Sequence, residues 1–255
     1  TRSLCDWSSD VCSSDLPYEN TFKNLFSGSL ILVADGYSSQ VVDLNSNTSC
    51  SYLQKFPNKI GNAVGAVLNN IPIICGGHNN RGEYQNSCFA YEKSSQSWLL
   101  HAEMKSRKYG ASTTVMNGAL WVSGGSHNLD ILASTEYIYS NGTVSAGPTM
   151  PIGMSDHCTI TLHDHRIMII GGNPSSNRKS VLLFDSDNKA FYPGPFLLYD
   201  RSFHGCALFS SAKHGGRPVI LSAGGAGQLT AEILDYTVSN AVWERSKHIC
   251  HSALS

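Results

Sequence analysis

Charged residues and long apolar runs are both scarce in this chain of 255 residues. Only 15% of the residues are charged and the formal net charge is -1, so no basic surface for nucleic acid or an anionic membrane is predicted. No apolar run approaches the roughly 20 residues of a membrane-spanning helix, so no membrane span is predicted. The length fits one globular domain.

The motifs of several common enzyme classes are absent as well. The chain has no GxSxG, P-loop or HExxH pattern, which mark α/β-hydrolases, nucleotide hydrolases and zinc proteases. His163, Asp164 and His165 come nearest to a metal or acid–base group, but they fall in a predicted turn. We therefore predict no catalytic residue, no metal site and no cofactor, and we expect a protein that is not an enzyme.

Short apolar runs that end in glycine do occur, at regular intervals. Their last glycines are spaced by roughly 40–50 residues, and the runs are Leu30–Gly36, Ile71–Gly77, Ala119–Gly125, Arg166–Gly172 and Val219–Gly225. Four runs end in a doublet, namely Gly76-Gly77, Gly124-Gly125, Gly171-Gly172 and Gly224-Gly225. Strand-like units with this period are typical of the blades of a β-propeller.

A second marker stays in phase with the first. In three units an aromatic residue precedes another by seven positions, and the pairs are Tyr91 and Trp98, Phe184 and Phe191, and Tyr236 and Trp243. Two markers in phase are much stronger evidence for a repeat than either alone. We predict that these aromatic residues pack between neighbouring sheets as core anchors.

Each unit is predicted to contain four strands. In the third unit they are residues 111–116, 119–123, 134–139 and 143–146, and Asn117-Gly118 forms a tight turn between the first two. The nearly continuous apolar character of the second strand is typical of a strand covered on both faces. The predicted fold class is therefore all-β, a β-propeller of four-stranded antiparallel blades.

A glycine doublet followed by tyrosine and then tryptophan at this spacing resembles the kelch repeat of the galactose oxidase/kelch superfamily. The resemblance covers about residues 22–249 and implies a propeller, usually of six blades, around a central channel. About four and a half blades are expected here, with bounds near residues 22–57, 58–106, 107–152, 153–200 and 201–255. The chain is thus expected to be truncated at both ends.

The first residues do not read like part of this repeat. Residues 6–16, DWSSDVCSSDL, agree with one translated frame of a common sequencing adapter. We expect residues 1–16 to be an artefact outside the fold and residues 17–255 to form the incomplete propeller. A natural linker rich in serine and aspartate is the alternative.

The kelch resemblance also implies where a partner would bind. In kelch propellers the loops after the doublets and the loops that lead into the first strands share one face, and arginines there can pair with carboxylates of a partner. The residues expected to contact a partner are Tyr37, His78, Asn79, Arg107, Tyr109, His127, Asn173, Arg201 and His204. Solvated loops would have the same polar composition.

Cysteines and sequons bear on the location of the protein. Cys75 and Cys88 fall on neighbouring second and third strands of one blade, where they would form either a disulfide or two buried thiols. Asn47 and Asn141 begin glycosylation sequons in predicted turns between third and fourth strands. Together these features favour an extracellular over a cytoplasmic location.

From the repeat and the resemblance we expect a non-catalytic scaffold that binds a protein or peptide through the loops of one rim. The alternative is a secreted propeller that binds or modifies carbohydrate, similar to galactose oxidase or to the sialic-acid mutarotases. The copper ligands and the Tyr–Cys crosslink of galactose-oxidase-like proteins cannot be assembled from this sequence, and no acid–base set diagnostic of a mutarotase is evident.

Overall fold

The computed structural model describes residues 30–35, 38–43, 50–52, 56 and 60–246, with the backbone alone for the first three stretches. Regular structure in these residues is β-strand, apart from two short 3-10 helices at Ser175–Asn177 and Ala212–His214. The strands form successive antiparallel sheets, which confirms the predicted all-β fold class. No helix in the described part of the chain is long and apolar enough to cross a bilayer.

The sheets follow one another along the chain as blades. Blade 1 contains β1 (Leu30–Asp35), β2 (Ser38–Asp43) and β3 (Cys50–Tyr52), and blade 2 contains β4 (Val64–Leu68), β5 (Ile71–Cys75), β6 (Ser87–Glu92) and β7 (Ser97–Glu103). Blade 3 contains β8 (Ser112–Met116), β9 (Ala119–Ser123), β12 (Thr135–Tyr139) and β13 (Val144–Ala146), with a small hairpin of β10 (Ser126–His127) and β11 (Asp130–Ile131) between β9 and β12. Blade 4 contains β14 (Cys158–Thr161), β15 (Ile167–Ile170), β16 (Val181–Asp185) and β17 (Ala190–Pro193), and blade 5 contains β18 (Gly205–Ser211), β19 (Arg217–Ala223), β20 (Ala231–Leu234) and β21 (Glu244–Arg245).

The first strands of blades 2 to 5 line the axis of the molecule. Strands β4, β8, β14 and β18 are each at one edge of their sheet, and β8 packs between β4 and β14 while β14 also packs on β18. Hydroxyl pairs join β8 to β14, with Ser112 Oγ 2.9 Å from Thr159 Oγ1 and Thr114 Oγ1 2.8 Å from Thr161 Oγ1. This radial arrangement of sheets is a β-propeller.

The hydrophobic core lies between the blades. One cluster joins blades 2 and 3, another joins blades 3 and 4, and a third joins blades 4 and 5. Trp121 of blade 3 and Phe184 of blade 4 are both fully buried, and their rings stack with centroids 5.7 Å apart. Tyr91, Trp98 and Trp243 are buried too, and Trp243 belongs to the cluster that joins blades 4 and 5.

The glycine doublets attach each blade to the next one. The amides of Gly77, Gly125 and Gly172 each donate to a carbonyl of the loop that leads into the following blade, at 2.8 Å. The first glycine of a doublet lies against that same loop, because a Cβ on Gly124 would stand 2.0 Å from the carbonyl oxygen of Met154. Both glycines also have positive φ, so a side chain at either position is excluded by sterics and by backbone conformation.

The predicted strand bounds of the third unit agree with the structure to within one residue. Two of the insertions were not predicted from the sequence. The loop after the doublet of blade 3 folds into the β10–β11 hairpin, and the turn between β18 and β19 holds a 3-10 helix closed by left-handed Gly215. The second insertion explains why the last repeat is the longest.

Two disulfides are present in the described residues. Cys75 and Cys88 face each other across β5 and β6 and are bonded, which decides the alternative that the sequence left open. The second disulfide joins Cys158 of β14 to Cys206 of β18 and so links blades 4 and 5. Disulfides form and persist in oxidising compartments, and both fit the predicted extracellular location.

Candidate functional site

The loops after the doublets and the loops before the first strands lie on one face, as the resemblance implied. Short backbone bridges pair the two sets of loops, namely Gly61 with His78, Tyr109 with Ser126, and Ser155 with Asn173. The turns between first and second strands lie at the opposite ends of these strands. Side chains on the first face therefore share one surface around the end of the central channel.

Four residues form a hydrogen-bonded collar at this end of the channel. The collar consists of Asn62, Gly110, Asp156 and Phe203, one from each loop that leads into β4, β8, β14 or β18. The amide of Gly110 donates to Asn62 at 3.1 Å, that of Asp156 to Gly110 at 2.6 Å, and that of Phe203 to Asp156 at 2.9 Å. All four have left-handed φ, between +50° and +60°, so the collar is one repeated backbone conformation.

Asp156 brings a half-buried carboxylate to the collar. Its Oδ2 accepts hydrogen bonds from Ser155 Oγ at 2.9 Å and from Asn173 Nδ2 at 3.0 Å. Burial raises the pKa of this carboxyl, and the hydrogen bonds from Asn173 and Ser155 oppose that effect only in part. The pKa of Asp156 is therefore higher than that of an exposed aspartate, which makes its carboxylate a stronger base.

Arg178 fixes the orientation of the amide that contacts Asp156. Its Nε and a terminal nitrogen donate to Asn173 Oδ1 at 3.2 and 3.1 Å. Since the amide oxygen faces the guanidinium, the amide nitrogen must face the carboxylate. The backbone of Asn173 is paired with Ser155 at 2.8 and 3.2 Å, so the whole Arg178–Asn173–Asp156 row is held in place.

Aromatic side chains border the carboxylate on the blade 3 side. Tyr84 and Tyr109 are half-buried and stacked, with ring centroids 4.7 Å apart, and His127 meets Tyr84 edge-on at 5.8 Å. Burial raises the pKa of the Tyr109 hydroxyl, with smaller contributions from Tyr84 and Asp156, so Tyr109 and the carboxylate are electrostatic neighbours. We call this set the mouth site: Tyr84, Tyr109, His127, Asp156, Asn173 and Arg178.

Three of the residues predicted to contact a partner thus meet in the mouth site, namely Tyr109, His127 and Asn173. His78 and Asn79 lie on the same face but serve their own loop: the ring of His78 covers Gly61, and Asn79 Oδ1 accepts the amides of Arg81 and Glu83 at 2.9 and 3.0 Å. Tyr37 and Asn47 lie outside the described residues. Asn141 is exposed in the turn between β12 and β13.

The expectation that Arg201 is presented at the channel mouth is wrong. Its side chain is 0% exposed, and its Nε contacts Glu232 Oε1 at 2.6 Å. Its remaining nitrogens donate to the carbonyls of Gly224 and Thr230 and to the hydroxyl of Thr230. Arg201 is therefore an internal tie within blade 5.

In blade 3 the residue that corresponds to Arg201 is Lys108 and not Arg107. The carbonyl oxygens of Lys108 and Arg201 each accept a hydrogen bond from the amide of the second glycine of the preceding doublet. Lys108 is buried and pairs with Glu136 of blade 3 at 2.8 Å. Arg107 is exposed, so it stays a predicted contact for a partner.

His204 and its counterpart His157 directly precede the first strands of blades 5 and 4. His157 Nε2 lies 2.9 Å from Ser123 Oγ, whereas both ring nitrogens of His204 are buried without a hydrogen-bond partner in the described residues. Burial lowers the pKa of His157 to about 3 and that of His204 to about 4, with further lowering by His204 and Arg201 respectively. Both rings are neutral, and the predicted partner contact through His204 would require the ring to become accessible.

Sequence reasoning missed Tyr84, Asp156 and Arg178. The loops that lead into the first strands offered a usable signal, since Asn62, Gly110 and Asp156 stand 14, 14 and 15 residues before the first glycine of the following doublet. The insertion between β18 and β19 puts Phe203, the fourth member, 21 residues before its doublet. Asparagine, glycine and aspartate are the residues that tolerate left-handed φ, so the first three mark a position with a left-handed backbone. In the described stretches no group of three His, Cys, Asp or Glu side chains could hold a metal ion.

No model of a known protein family matches the chain, and no curated protein matches it. Membership in the kelch family therefore stays a prediction. Among solved structures the chain is similar to YjhT, with a TM-score of 0.72 and 14% sequence identity over 88% of this chain and 82% of YjhT. At that identity the likeness shows the fold alone, and the fold is a propeller.

The comparison corrects the expectation that the chain is not an enzyme. YjhT is a mutarotase-like enzyme propeller, so an enzyme is built on the architecture found here. The absence of hydrolase and protease motifs from the sequence consequently has no weight against catalysis, because a propeller places its functional groups on loops of different blades.

Proposed function

We propose that this protein is a propeller that binds a carbohydrate at the mouth site and modifies it by acid–base chemistry. The observation that carries the proposal is the Asp156 carboxylate, which is half-buried, held by Ser155 and Asn173, and raised in pKa beside the stacked tyrosines. Paired aromatic rings next to a carboxylate and an oriented amide suit a ligand with apolar C–H faces and many hydroxyls.

The chemistry of each group supports a sugar ligand. Tyrosine rings offer a flat apolar surface with a hydroxyl at one edge, which fits the face of a pyranose ring. Asp156 and Asn173 supply an acceptor and a donor for neighbouring hydroxyls. A carboxylate whose pKa is raised is a stronger base, so it can accept the proton of an anomeric hydroxyl and donate it to the ring oxygen while the bond between the anomeric carbon and the ring oxygen breaks. The open-chain carbonyl form can then rotate about its C1–C2 bond, and the reverse proton transfer closes the ring as the other anomer.

The experiment is to follow anomer equilibration by polarimetry or proton NMR with freshly dissolved glucose, galactose and N-acetylneuraminic acid. The wild-type protein should accelerate equilibration of at least one sugar. Asp156→Asn keeps the size of the side chain but cannot carry the proton, so the acceleration should fall by about 10²–10⁴-fold, as expected for the loss of an acid–base group.

Asp164→Asn is the matched control, because Asp164 is an exposed carboxylate paired with Arg166 in a turn on the opposite face. It should leave the rate unchanged. Equal rates for wild type and Asp156→Asn, both above the uncatalysed rate, would show that Asp156 is not the acid–base group. If none of the three sugars binds, and none equilibrates faster with the protein than without it, the proposed function is contradicted.

A second candidate function is protein binding by the loop tips of the same face. Leu129 at the tip of the β10–β11 hairpin is 99% exposed, and Leu229 in the loop after the last doublet is 80% exposed. Exposed leucines on two loops of one face favour a protein contact. Peptides selected from a displayed library on the wild type should then lose binding to a Leu129→Asp, Leu229→Asp variant and keep binding to Asp156→Asn.

A further inference from the structure

Phe203 has a backbone conformation that a bulky residue rarely adopts. Its φ is +57°, in the left-handed region, where a bulky side chain is an outlier. The other collar positions hold Asn62, Gly110 and Asp156, whose residue types tolerate this region. Phe203 is the exception among the four collar residues, so the reason for a phenylalanine at this position must be sought in its side chain.

Packing does not supply that reason. The side chain of Phe203 is 60% exposed, and among the described rings none stacks on it. The fold needs the left-handed backbone at this position because the collar requires it, but nothing in the fold requires an aromatic ring there. Strained residues that the core does not explain occur preferentially at ligand sites.

The position of Phe203 relative to the mouth site is set by the collar. Its amide donates to the carbonyl of Asp156, and the amide of Asp156 donates to Gly110, which directly follows Tyr109. Backbones joined by such bonds lie about 5 Å apart, so about 10 Å separates the Tyr109–Gly110 segment from Phe203. Asp156 lies between the two aromatic residues.

We propose that Phe203 is a second sugar-stacking platform, and that the ligand is an oligosaccharide of at least two units rather than a free monosaccharide. This inference rests on the proposed function of the mouth site. One pyranose ring would lie at Tyr109 and the next at Phe203, because the backbone segments that carry the two aromatic side chains are about 10 Å apart, which is more than the span of a single ring. The Asp156 carboxylate, which lies between the two platforms along the collar, would contact the reducing unit, whose free anomeric hydroxyl takes part in the proposed proton transfer.

The test compares matched sugars by isothermal titration calorimetry: galactose with lactose, glucose with cellobiose, and N-acetylglucosamine with its β-1,4 dimer. The wild type should bind the disaccharide of one pair at least tenfold more tightly than its monosaccharide. Phe203→Ala should abolish that preference and leave the affinity for the monosaccharide unchanged. Tyr192→Ala, which removes a 47% exposed ring from the outer strand β17, should preserve the preference.

A stability measurement keeps the role of Phe203 distinct from packing. Phe203→Gly should melt at a higher temperature than Phe203→Ala, because glycine adopts left-handed φ freely, and it should lose the disaccharide preference in the same way. A Phe203→Gly variant that melts below Phe203→Ala would overturn the account of backbone strain on which the inference is built.

The outcomes separate this inference from the proposed function. Equal affinity for both members of each pair, or binding of monosaccharides alone, would overturn the inference and leave the mouth site as a monosaccharide site. A preference that Phe203→Ala does not change would also overturn it. If no sugar binds, the proposed function fails and the inference fails with it.

Discussion

The carboxylate of Asp156 occupies the space that a side chain on Gly110 would need. A Cβ on Gly110 would stand 2.4 Å from Asp156 Oδ1, and the two residues are also joined by the 2.6 Å backbone hydrogen bond of the collar. A glycine in blade 3 thus decides where a carboxylate of blade 4 is placed.

Gly110→Ala should displace this carboxylate and destabilise the fold. Gly118→Ala is the matched control, since Gly118 also has positive φ, +72° against +60°, but a Cβ added there would have no atom within 4 Å. The control should lose about 1–2 kcal/mol of unfolding free energy from the left-handed backbone alone, and Gly110→Ala should lose more. Urea unfolding measures both, and equal losses would show that Asp156 moves aside without cost.

The buried pair Arg201–Glu232 should be strongly coupled. Glu232→Ala leaves the guanidinium buried without its counter-charge and should cost about 3–5 kcal/mol of unfolding free energy. Blade 4 has Met154 and Leu182, both buried, at the two corresponding positions. The double variant Arg201→Met, Glu232→Leu should therefore recover most of the loss, as measured by urea unfolding, and a double variant as unstable as Glu232→Ala would contradict the coupling.

The stability of the protein should fall in mild acid. In the folded state the pKa values of His157 and His204 are about 3 and 4, against an ordinary value of 6.5. Between pH 6.5 and about 4 the unfolded chain binds protons that the folded chain excludes, so the folding constant should drop by up to tenfold per histidine and pH unit. The groups nearest these rings include Ser123, Arg201 and the Arg201-paired Glu232.

Chemical denaturation at a series of pH values measures this slope. A His157→Gln, His204→Leu variant should show a shallower fall over the same range. His165→Asn, which changes an exposed histidine in a turn on the opposite face, should keep the wild-type slope. A double variant with the wild-type slope would assign the acid sensitivity to other groups.

The two disulfides should contribute unequally to stability. Cys158–Cys206 spans 48 residues and Cys75–Cys88 spans 13, and chain entropy makes the longer loop the more stabilising by about 1 kcal/mol. Cys158→Ser, Cys206→Ser should therefore lower the unfolding free energy more than Cys75→Ser, Cys88→Ser. Thermal unfolding of the two double variants, each with the other disulfide intact, decides the order.

The repeat could be recognised from the sequence because the fold restricts the residue type at positions that recur in each unit. Glycine doublets are required wherever a carbonyl of the next blade approaches, as Gly124 and Met154 show. Buried aromatic residues such as Trp98 recur because the hydrophobic core needs a large side chain at these positions. Both constraints restrict a position to few residue types, glycine in one case and large aromatic residues in the other, so they leave periodic markers.

The site could be predicted only in part, because it is assembled across blades. Tyr109 and Asn173 were recognisable as loop residues of one face. Their link through Asp156 depends on the collar hydrogen bond from Asp156 to Gly110, which joins two units, and on the hydrogen bond from Asn173, 17 residues further along the chain. Arg201 was misplaced because sequence alone does not show whether a cation beside a strand points outward or meets an internal carboxylate. That distinction required Glu232, 31 residues later.

The buried ion pairs have a consequence for how the sequence can change over time. In blades 3 and 5 a cation and a glutamate are buried together, while blade 4 has methionine and leucine at the same two places. A change from the buried ion pair to the apolar pair by single substitutions requires an intermediate sequence in which one buried charge has no counter-charge. Each blade therefore tends to keep either its ion pair or its apolar pair. Repeats that were once identical can in this way remain different in their interiors.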